Sequence, residues 1–233
     1  MAHYETIDQA GQPMRVCLSL PSDGGAHPVI IVICHGAGLD AFGEDVCDRL
    51  AESGLVTAAP DVFHRQLGVT DSAVKRAHMI DGQIVADIDI TISLLQNKNI
   101  INPERVGILG HCMGGRMSLL GACADRRNQA CVDFYGGNCM VSWDGDDPTP
   151  FEPIGDIYCP VLGLFGNEDE NPSPDDFDRI SAEKTRCGIT HEFHRYHDAG
   201  RAFQNFLSDK RYRSKSSADA RNKTLTFLSH RLG

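Results

Sequence analysis

Short, apolar, β-branched runs alternate with longer segments of helical periodicity along this sequence, and this alternation limits the fold more than any other feature. Pro28–Cys34 is a continuous run of the kind that is buried on both faces of a parallel sheet. Further strands are predicted at residues 14–20, 55–59, 105–110, 131–135, 160–165 and 190–196, the first of them at the edge of the sheet. Helices are predicted at residues 42–53, 80–95, 115–124, 174–187 and 216–232. The alternation predicts an α/β protein with a single doubly wound, mostly parallel sheet.

The length and composition favour one compact domain that spans residues 1–233. Hydrophobic residues make up 41% of the chain and charged residues 23%, which excludes a disordered chain, a coiled coil or collagen. The formal net charge is −10, so neither nucleic acid nor an anionic membrane surface is expected as the main partner. The longest uninterrupted apolar run, Val29–Cys34, is far too short to span a bilayer. Because the first nine residues also lack a signal-peptide pattern, we expect a cytoplasmic protein that acts on a small molecule, as a monomer or small homo-oligomer.

Nine cysteines are spread along the chain, an odd number without a CxxC pair. Several lie in apolar runs, where a free thiol packs like a small hydrophobic side chain. We therefore expect neither a disulfide framework nor a zinc site. Any reactive cysteine has to be identified from its neighbours.

The sharpest chemical motif is the segment Gly110–Gly114, which reads Gly-His-Cys-Met-Gly. It follows a predicted strand directly and opens a predicted helix, which is the context of a nucleophile elbow. Small flanking residues are needed there, because the nucleophile occupies a strained turn where neighbouring chain segments come close. The helix N-terminus favours a thiolate, so Cys112 is the candidate nucleophile. The alternative is a glycine-rich turn in which the cysteine has no role.

Two further segments could complete such a site. The segment His35–Gly38 ends the most buried predicted strand, and a loop of this kind can direct a backbone N–H toward a developing oxyanion. The amide of Met113 would be the second donor. Asp169 follows the strand predicted at 160–165, where a hydrolase with this elbow keeps its acid. A simple turn and a solvated acidic loop are the respective alternatives.

In combination, these motifs resemble the dienelactone hydrolase family. The similar segments lie between about residue 29 and residue 232 and are Pro60–Phe63, Gly110–Arg116, Phe134–Gly136, Leu164–Asp169 and Tyr196–Phe203. The resemblance implies an α/β-hydrolase fold, no metal or organic cofactor, and attack by a cysteine on an ester or lactone carbonyl. By position, it makes Cys112 the nucleophile and Asp169 the acid. The oxyanion donors would be the amides of Gly36 and Met113.

One departure from the family concerns its catalytic histidine. The family has this histidine in a Tyr-x-x-Ala-Gly-His segment after the last strand, and the segment Tyr196–Phe203 has Arg201 at that position. A guanidinium stays protonated at ordinary pH, so it cannot accept the thiol proton. It can stabilise a thiolate or bind an anionic group. His35 stands where the family has a glutamate, and it is the candidate base that would reach Cys112 from the other side of the pocket.

Five further side chains are candidates for contact with the substrate: Tyr135, His64, Arg76, His197 and Trp143. Tyr135 and His64 follow predicted strand ends, at the edge where ligands bind in open α/β sheets. For Tyr135, a packed aromatic ring is an equal alternative. Arg76 lies where the family places an arginine for a substrate carboxylate. His197 lies close to the triad position at the rim, and Trp143 belongs to a long loop rich in Gly, Asp and Pro.

Two function classes follow from these residues. The first is a hydrolase that opens an ester, thioester or lactone through a Cys112 acyl intermediate, with a substituted base. The second is a non-hydrolytic homologue, such as an isomerase, a cyclase or a small-molecule binding protein, because Arg201 breaks the triad. The intact Cys112, Asp169 and oxyanion loop favour the hydrolase.

Overall fold

The structure is a computed structural model that describes residues 1–98, 100–143 and 148–233. In these ranges the strands are β1 (His3–Gln9), β2 (Gln12–Ser19), β3 (His27–Ile33), β4 (Val56–Pro60), β5 (Ile101–His111), β6 (Asn128–Phe134), β7 (Val161–Gly166) and β8 (His191–Tyr196). The α-helices are α1 (Ala41–Glu52), α2 (Ser72–Ala77), α3 (Asp81–Asn97), α4 (Met113–Ala124), α5 (Pro174–Arg186) and α6 (Ser214–Leu232). A 3-10 helix covers Glu152–Asp156.

The eight strands form one sheet in the order β1-β2-β4-β3-β5-β6-β7-β8. All neighbours from β4 to β8 run parallel, whereas β2 pairs antiparallel with both β1 and β4. The predicted doubly wound, mostly parallel sheet is therefore confirmed. The strand order reverses at β3, which lies between β4 and β5. Ligands bind at such a switch point, outside the carboxyl ends of the strands.

The central strand β3 shows why the sheet is covered on both faces. Val29, Ile31 and Ile33 pack in one apolar layer with α3 and α4. Ile30 and Val32 lie in the opposite layer with α1 and α6. Because successive side chains of a strand point to opposite faces, a continuous run of β-branched residues fills both layers.

The N-terminal hairpin corrects one expectation. The strand predicted at residues 14–20 corresponds to β2, but it is not at the edge, because β1 pairs along its outer side. Ala10 and Gly11 join the two strands, and both have positive φ, at 52° and 82°. Such values suit a two-residue hairpin turn. Strand β1 has mostly exposed side chains, so it lacks the apolar pattern by which a strand is predicted.

The α-helices differ in length from the six residues of α2 to the 19 residues of α6. None of them in the described ranges is long and apolar enough to cross a bilayer. The longest, α6, has 19 residues and includes several charged side chains.

Candidate active site

Cys112 lies at the turn between β5 and α4, with φ of 57° and ψ of −115°. Its backbone N–H donates to the carbonyl of Phe134 at 2.8 Å, which fixes the turn against β6. A Cβ at Gly110 would lie 1.9 Å from the carbonyl oxygen of Gly114. A Cβ at Gly114 would lie 2.1 Å from the carbonyl oxygen of Ile33. The two glycines are therefore required by the close approach of backbone at this turn, as a nucleophile elbow needs.

The guanidinium of Arg201 contacts the Cys112 sulfur directly. Nε and Nη2 of Arg201 each donate a hydrogen bond to Sγ at 3.2 Å. Within the described residues, no other group hydrogen-bonds this sulfur. Both side chains are half-buried, so water screens the interaction only in part. Since the guanidinium keeps its charge at ordinary pH, this arrangement places a permanent positive charge beside the sulfur.

Asp169 follows β7 and is 5% exposed. Its Oδ1 accepts a hydrogen bond from the Asn171 amide at 2.9 Å, whereas its Oδ2 has no partner among the described residues. Burial raises the pKa of Asp169 from 3.8 to about 6, against the opposing effects of the Asn171 amide and the Arg201 charge. No ion pair joins Asp169 to Arg201 in the described part of the chain, because the guanidinium is directed to the sulfur instead. The carboxylate is therefore free to accept a proton near neutral pH.

Tyr135 is packed as an aromatic ring, and its expected contact with substrate stays a prediction. Its ring is 1% exposed and packs edge-on against Phe203, with ring centroids 5.4 Å apart. Its hydroxyl has no hydrogen-bond partner within the described ranges. Burial, together with the negative charges of Cys112 and Asp169, raises the pKa of Tyr135 well above its usual value. The hydroxyl therefore stays protonated and can donate a hydrogen bond near the elbow.

His35 does not fulfil its expected contact with Cys112. Its Nε2 lies 2.8 Å from Oδ2 of Asp40. Asp40 also caps α1, because its Oδ1 accepts from the amides of Phe42 and Gly43 at 3.1 Å each. The imidazole is thus held by the N-cap of α1, and the structure does not bring it into hydrogen-bond contact with the sulfur. A carboxylate only five residues away in the chain offers His35 a local partner that the sequence pattern does not reveal.

The two expected oxyanion donors come to the same edge of the sheet. Gly36 follows β3 and Met113 follows β5, and these strands are neighbours that pair Ile33 with Gly110. Neither amide donates a hydrogen bond to another described residue. Free amides at adjacent strand ends are what an oxyanion hole requires.

A cleft of about 340 Å³, here called the Arg76 cleft, is lined by Arg76, Ala77, Asn138, Ser142 and Trp143. Arg76 also borders the oxyanion loop, since a Cβ at Gly36 would lie 3.2 Å from its Nη1. Arg76 makes no ion pair with any residue that the structure describes. Trp143 covers the guanidinium of Arg116, whose carbon lies 3.9 Å from the ring centroid. The structure thus brings Arg76 and Trp143 together, and Trp143 lies over Arg116.

The two remaining candidate histidines, His197 and His64, differ in position. His197 is exposed, and its Nδ1 accepts from the side-chain amide of Asn167 at 2.8 Å, which places it at the rim beside the Asp169 loop. His64 is only 2% exposed. Its Nε2 lies 3.4 Å from Asp87 of α3, which also forms a bidentate ion pair with Arg65. A buried carboxylate thus holds His64 inside the fold, and its expected contact with substrate stays a prediction.

Sequence reasoning missed Gln204, which links the elbow to α6. His111 Nε2 donates to the side-chain oxygen of Gln204 at 2.9 Å, and Gln204 Nε2 donates to the carbonyl of Ser217 at 3.3 Å. Burial lowers the pKa of His111 to about 4, so the imidazole is neutral. Ninety-three residues separate His111 from Gln204 in the chain, and no local pattern marks such a pair.

In residues 1–98, 100–143 and 148–233, no group of three His, Cys, Asp or Glu side chains is arranged to hold a metal ion.

Comparison with known proteins gives consistent matches. A sequence profile of the "Dienelactone hydrolase family" matches residues 14–232. A "Putative carboxymethylenebutenolidase" of Methylorubrum extorquens is 30% identical over 194 residues, which are 79% of this chain and 66% of that protein. A protein of the same name from Synechocystis sp. is 29% identical over 227 residues, with 92% of this chain and 91% of that protein covered. The crystal structure of a "Putative Dienelactone Hydrolase" from Klebsiella pneumoniae superimposes with a TM-score of 0.88 at 26% identity, over 98% of each chain. The sheet and its helices are therefore those of an α/β-hydrolase fold.

Proposed function

The chain belongs to the dienelactone hydrolase family and is thereby a lactone or ester hydrolase, and from this premise we propose that Cys112 is its nucleophile and that Arg201 replaces the family's histidine. The observation that carries the proposal is the pair of hydrogen bonds from the guanidinium to Sγ. The butenolidase names of the relatives favour hydrolysis over a non-hydrolytic role.

In the first half of the reaction, the Cys112 thiolate attacks the carbonyl carbon of the lactone. The guanidinium removes the need for a base at this step, because it stabilises the thiolate before substrate arrives. The amides of Gly36 and Met113 bind the oxyanion of the tetrahedral intermediate. The ring C–O bond then breaks and leaves a thioester on the sulfur. No imidazolium is present to protonate the departing oxygen, so a weakly basic leaving group such as an enolate or phenolate is favoured.

The second half needs a base, which Arg201 cannot be. The properties of Asp169 support it in this role, since its Oδ2 has no partner among the described residues and its pKa is raised to about 6. A base with a pKa near the working pH is the most effective. Asp169 takes a proton from water, the water oxygen adds to the thioester carbon, and the C–S bond breaks. The thiolate returns to Arg201, and the proton passes from Asp169 to the oxygen that left the ring.

The Arg76 cleft supports a substrate that carries a carboxylate. Arg76 borders Gly36 and has no ion-pair partner among the described residues, so it can bind an anion next to the oxyanion loop. The name carboxymethylenebutenolidase, given to both relatives, refers to a lactone with a carboxylate substituent. We therefore infer that the substrate is a small enol lactone with an acidic side chain.

The test compares an acidic enol lactone with a neutral aryl ester. Wild-type protein is expected to hydrolyse both, and Cys112→Ala to hydrolyse neither. Arg76→Gln should raise KM for the acidic lactone about tenfold or more, the loss of one charge-assisted contact, and leave the neutral ester unchanged. The control is Arg105→Gln. Arg105 lies in the first half of β5 and is distant in the chain from the residues that line the cleft. No turnover by the wild type, or full turnover by Cys112→Ala, would contradict the proposal.

A further inference from the structure

A second cavity lies in the layer between the sheet and helices α1 and α6. Its volume is about 130 Å³, and none of Cys112, Asp169 and Arg201 lines it. The apolar part of its wall includes Phe42, Val46, Leu50, Leu109, Phe134 and Leu225. An apolar cavity of about 150 Å³ binds benzene, so a space of similar volume is large enough for a single ring. We call it the Ser217 cavity, after the polar group described next.

One buried polar group in this cavity has no partner. Ser217 is 1% exposed, and its Oγ makes no hydrogen bond to any described residue. A buried hydroxyl without a partner is destabilising, so a ligand that accepts its hydrogen bond would bind more tightly. Nothing in the proposed hydrolysis uses this hydroxyl.

The charged residues at the cavity favour an anion. Arg221 lies one turn after Ser217 on α6, and within the described ranges it forms no ion pair. Arg49, which also lines the cavity, is paired with Asp45 at 2.7 Å, so its charge is already compensated. Arg221 is therefore the uncompensated cation at a cavity of an otherwise acidic chain.

We propose that the Ser217 cavity is a second ligand site, which binds a one-ring aromatic carboxylate of the size of benzoate. The ring lies against the apolar wall, among Phe42, Leu109 and Phe134. The carboxylate accepts a hydrogen bond from Ser217 Oγ and pairs with Arg221. This site does not depend on the proposed catalytic mechanism.

The cavity is also connected to the elbow. His111 and Gln204, which hydrogen-bond each other, both contribute to its wall. His111 directly precedes Cys112, and Gln204 follows Arg201 by three residues. A ligand in the cavity therefore contacts both chain segments that carry the Cys112–Arg201 pair.

The experiment is calorimetric titration of the intact protein with benzoate. Wild-type protein is expected to bind one equivalent. Arg221→Gln should weaken binding about tenfold, which corresponds to the loss of one charge-assisted contact. Arg231→Gln, on the same helix but outside the cavity, is the matched control and should bind as the wild type does. Val46→Phe, which adds a ring to the cavity wall from the half-buried face of α1, should abolish binding.

The catalytic pocket is the competing location for benzoate. Protein whose Cys112 has been alkylated with iodoacetamide should bind benzoate with unchanged affinity. Loss of binding after alkylation would overturn the proposal, as would absence of binding by the wild type at millimolar benzoate. Equal affinity of the wild type and Arg221→Gln, or binding of toluene without binding of benzoate, would also overturn it.

Discussion

At the residue level, the guanidinium of Arg201 holds a permanent positive charge 3.2 Å from the Cys112 sulfur. An imidazole at this position could both remove a proton and return it, but a guanidinium can only stabilise negative charge. In the proposed mechanism, the functions that a triad histidine combines are divided between two residues. Thiolate stabilisation is assigned to Arg201, and proton transfer to Asp169, which has an unpartnered oxygen in the described structure.

The first prediction concerns thiol reactivity. Iodoacetamide at neutral pH should label Cys112 before the other cysteines, most of which are buried. Arg201→Met keeps an unbranched side chain but removes the charge, and it should slow alkylation of Cys112 about tenfold or more, which corresponds to about 1.4 kcal/mol of thiolate stabilisation. Peptide mass spectrometry measures the rates. Cys187, which is half-buried on α5's C-terminal end, is the internal control and should react equally in both proteins. Equal rates at Cys112 would show that the guanidinium does not activate the sulfur.

The second prediction concerns pH. Asp169 must be ionised to act as base, so turnover should decline as the pH falls through about 6 and should level off above it. Asp169→Asn should lower kcat about a hundredfold, the usual contribution of general-base catalysis, while a first, stoichiometric burst of leaving group persists. Stopped-flow release of a phenolate from an aryl ester measures both phases. Glu168→Gln, at the exposed neighbouring carboxylate, should behave as the wild type does. If Asp169→Asn turned over substrate at the wild-type rate, another group would have to be the base.

At the level of the elements, the turn from β5 to α4 depends on backbone contacts that leave no room for a side chain. The φ of 57° at Cys112 is uncommon for a residue with a Cβ. The Cys112 amide is held by β6, and the glycines on either side allow neighbouring carbonyls to approach. Backbone strain at Cys112 is thus maintained by the surrounding strands.

The third prediction tests this packing. Gly114→Ala places a Cβ 2.1 Å from the carbonyl oxygen of Ile33, so it should lower the free energy of unfolding by about 3 kcal/mol or prevent folding. Gly82→Ala, on α3, is the control, because its Cβ would meet nothing within 4 Å. Its stability should be unchanged or higher by up to about 1 kcal/mol. Urea unfolding measures both. A Gly114→Ala protein as stable as the wild type would contradict the close packing.

The buried strands and long helices could be predicted because their own apolar patterns specify them. The β-branched run of β3 and the regular isoleucines of α3 are examples. Strand β1 could not, since its side chains are mostly exposed and only its pairing with β2 defines it. The six-residue α2 is too short to show a periodic pattern.

The candidate site divides in the same way. The sequence singles out Cys112 and Asp169 because each follows a strand within a local motif, and their catalytic roles stay predictions. The partner of His35 could not be predicted. The contact depends on the position that Asp40 takes as the N-cap of α1. The contacts of His64 and Gln204 depend on tertiary packing, so neither could be read from neighbouring residues.

At the level of the whole molecule, the sheet order brings distant parts of the chain to one edge. The loops after β3, β5, β7 and β8 carry Gly36, Cys112, Asp169 and Arg201, respectively. The adjacency of β3 and β5 places the oxyanion loop beside the elbow although about 75 residues separate them. The proposed site therefore depends on the fold as a unit.

The most direct test of the central claim is the mass of the intact protein, quenched with acid during turnover of an aryl ester by Asp169→Asn. We expect a stoichiometric gain equal to the mass of the acyl group, located on Cys112 by peptide mapping and absent from the double variant that also carries Cys112→Ala. An unmodified protein that has already released its stoichiometric burst of phenol, or an acyl group on any other residue, would contradict a Cys112 thioester stabilised without a histidine.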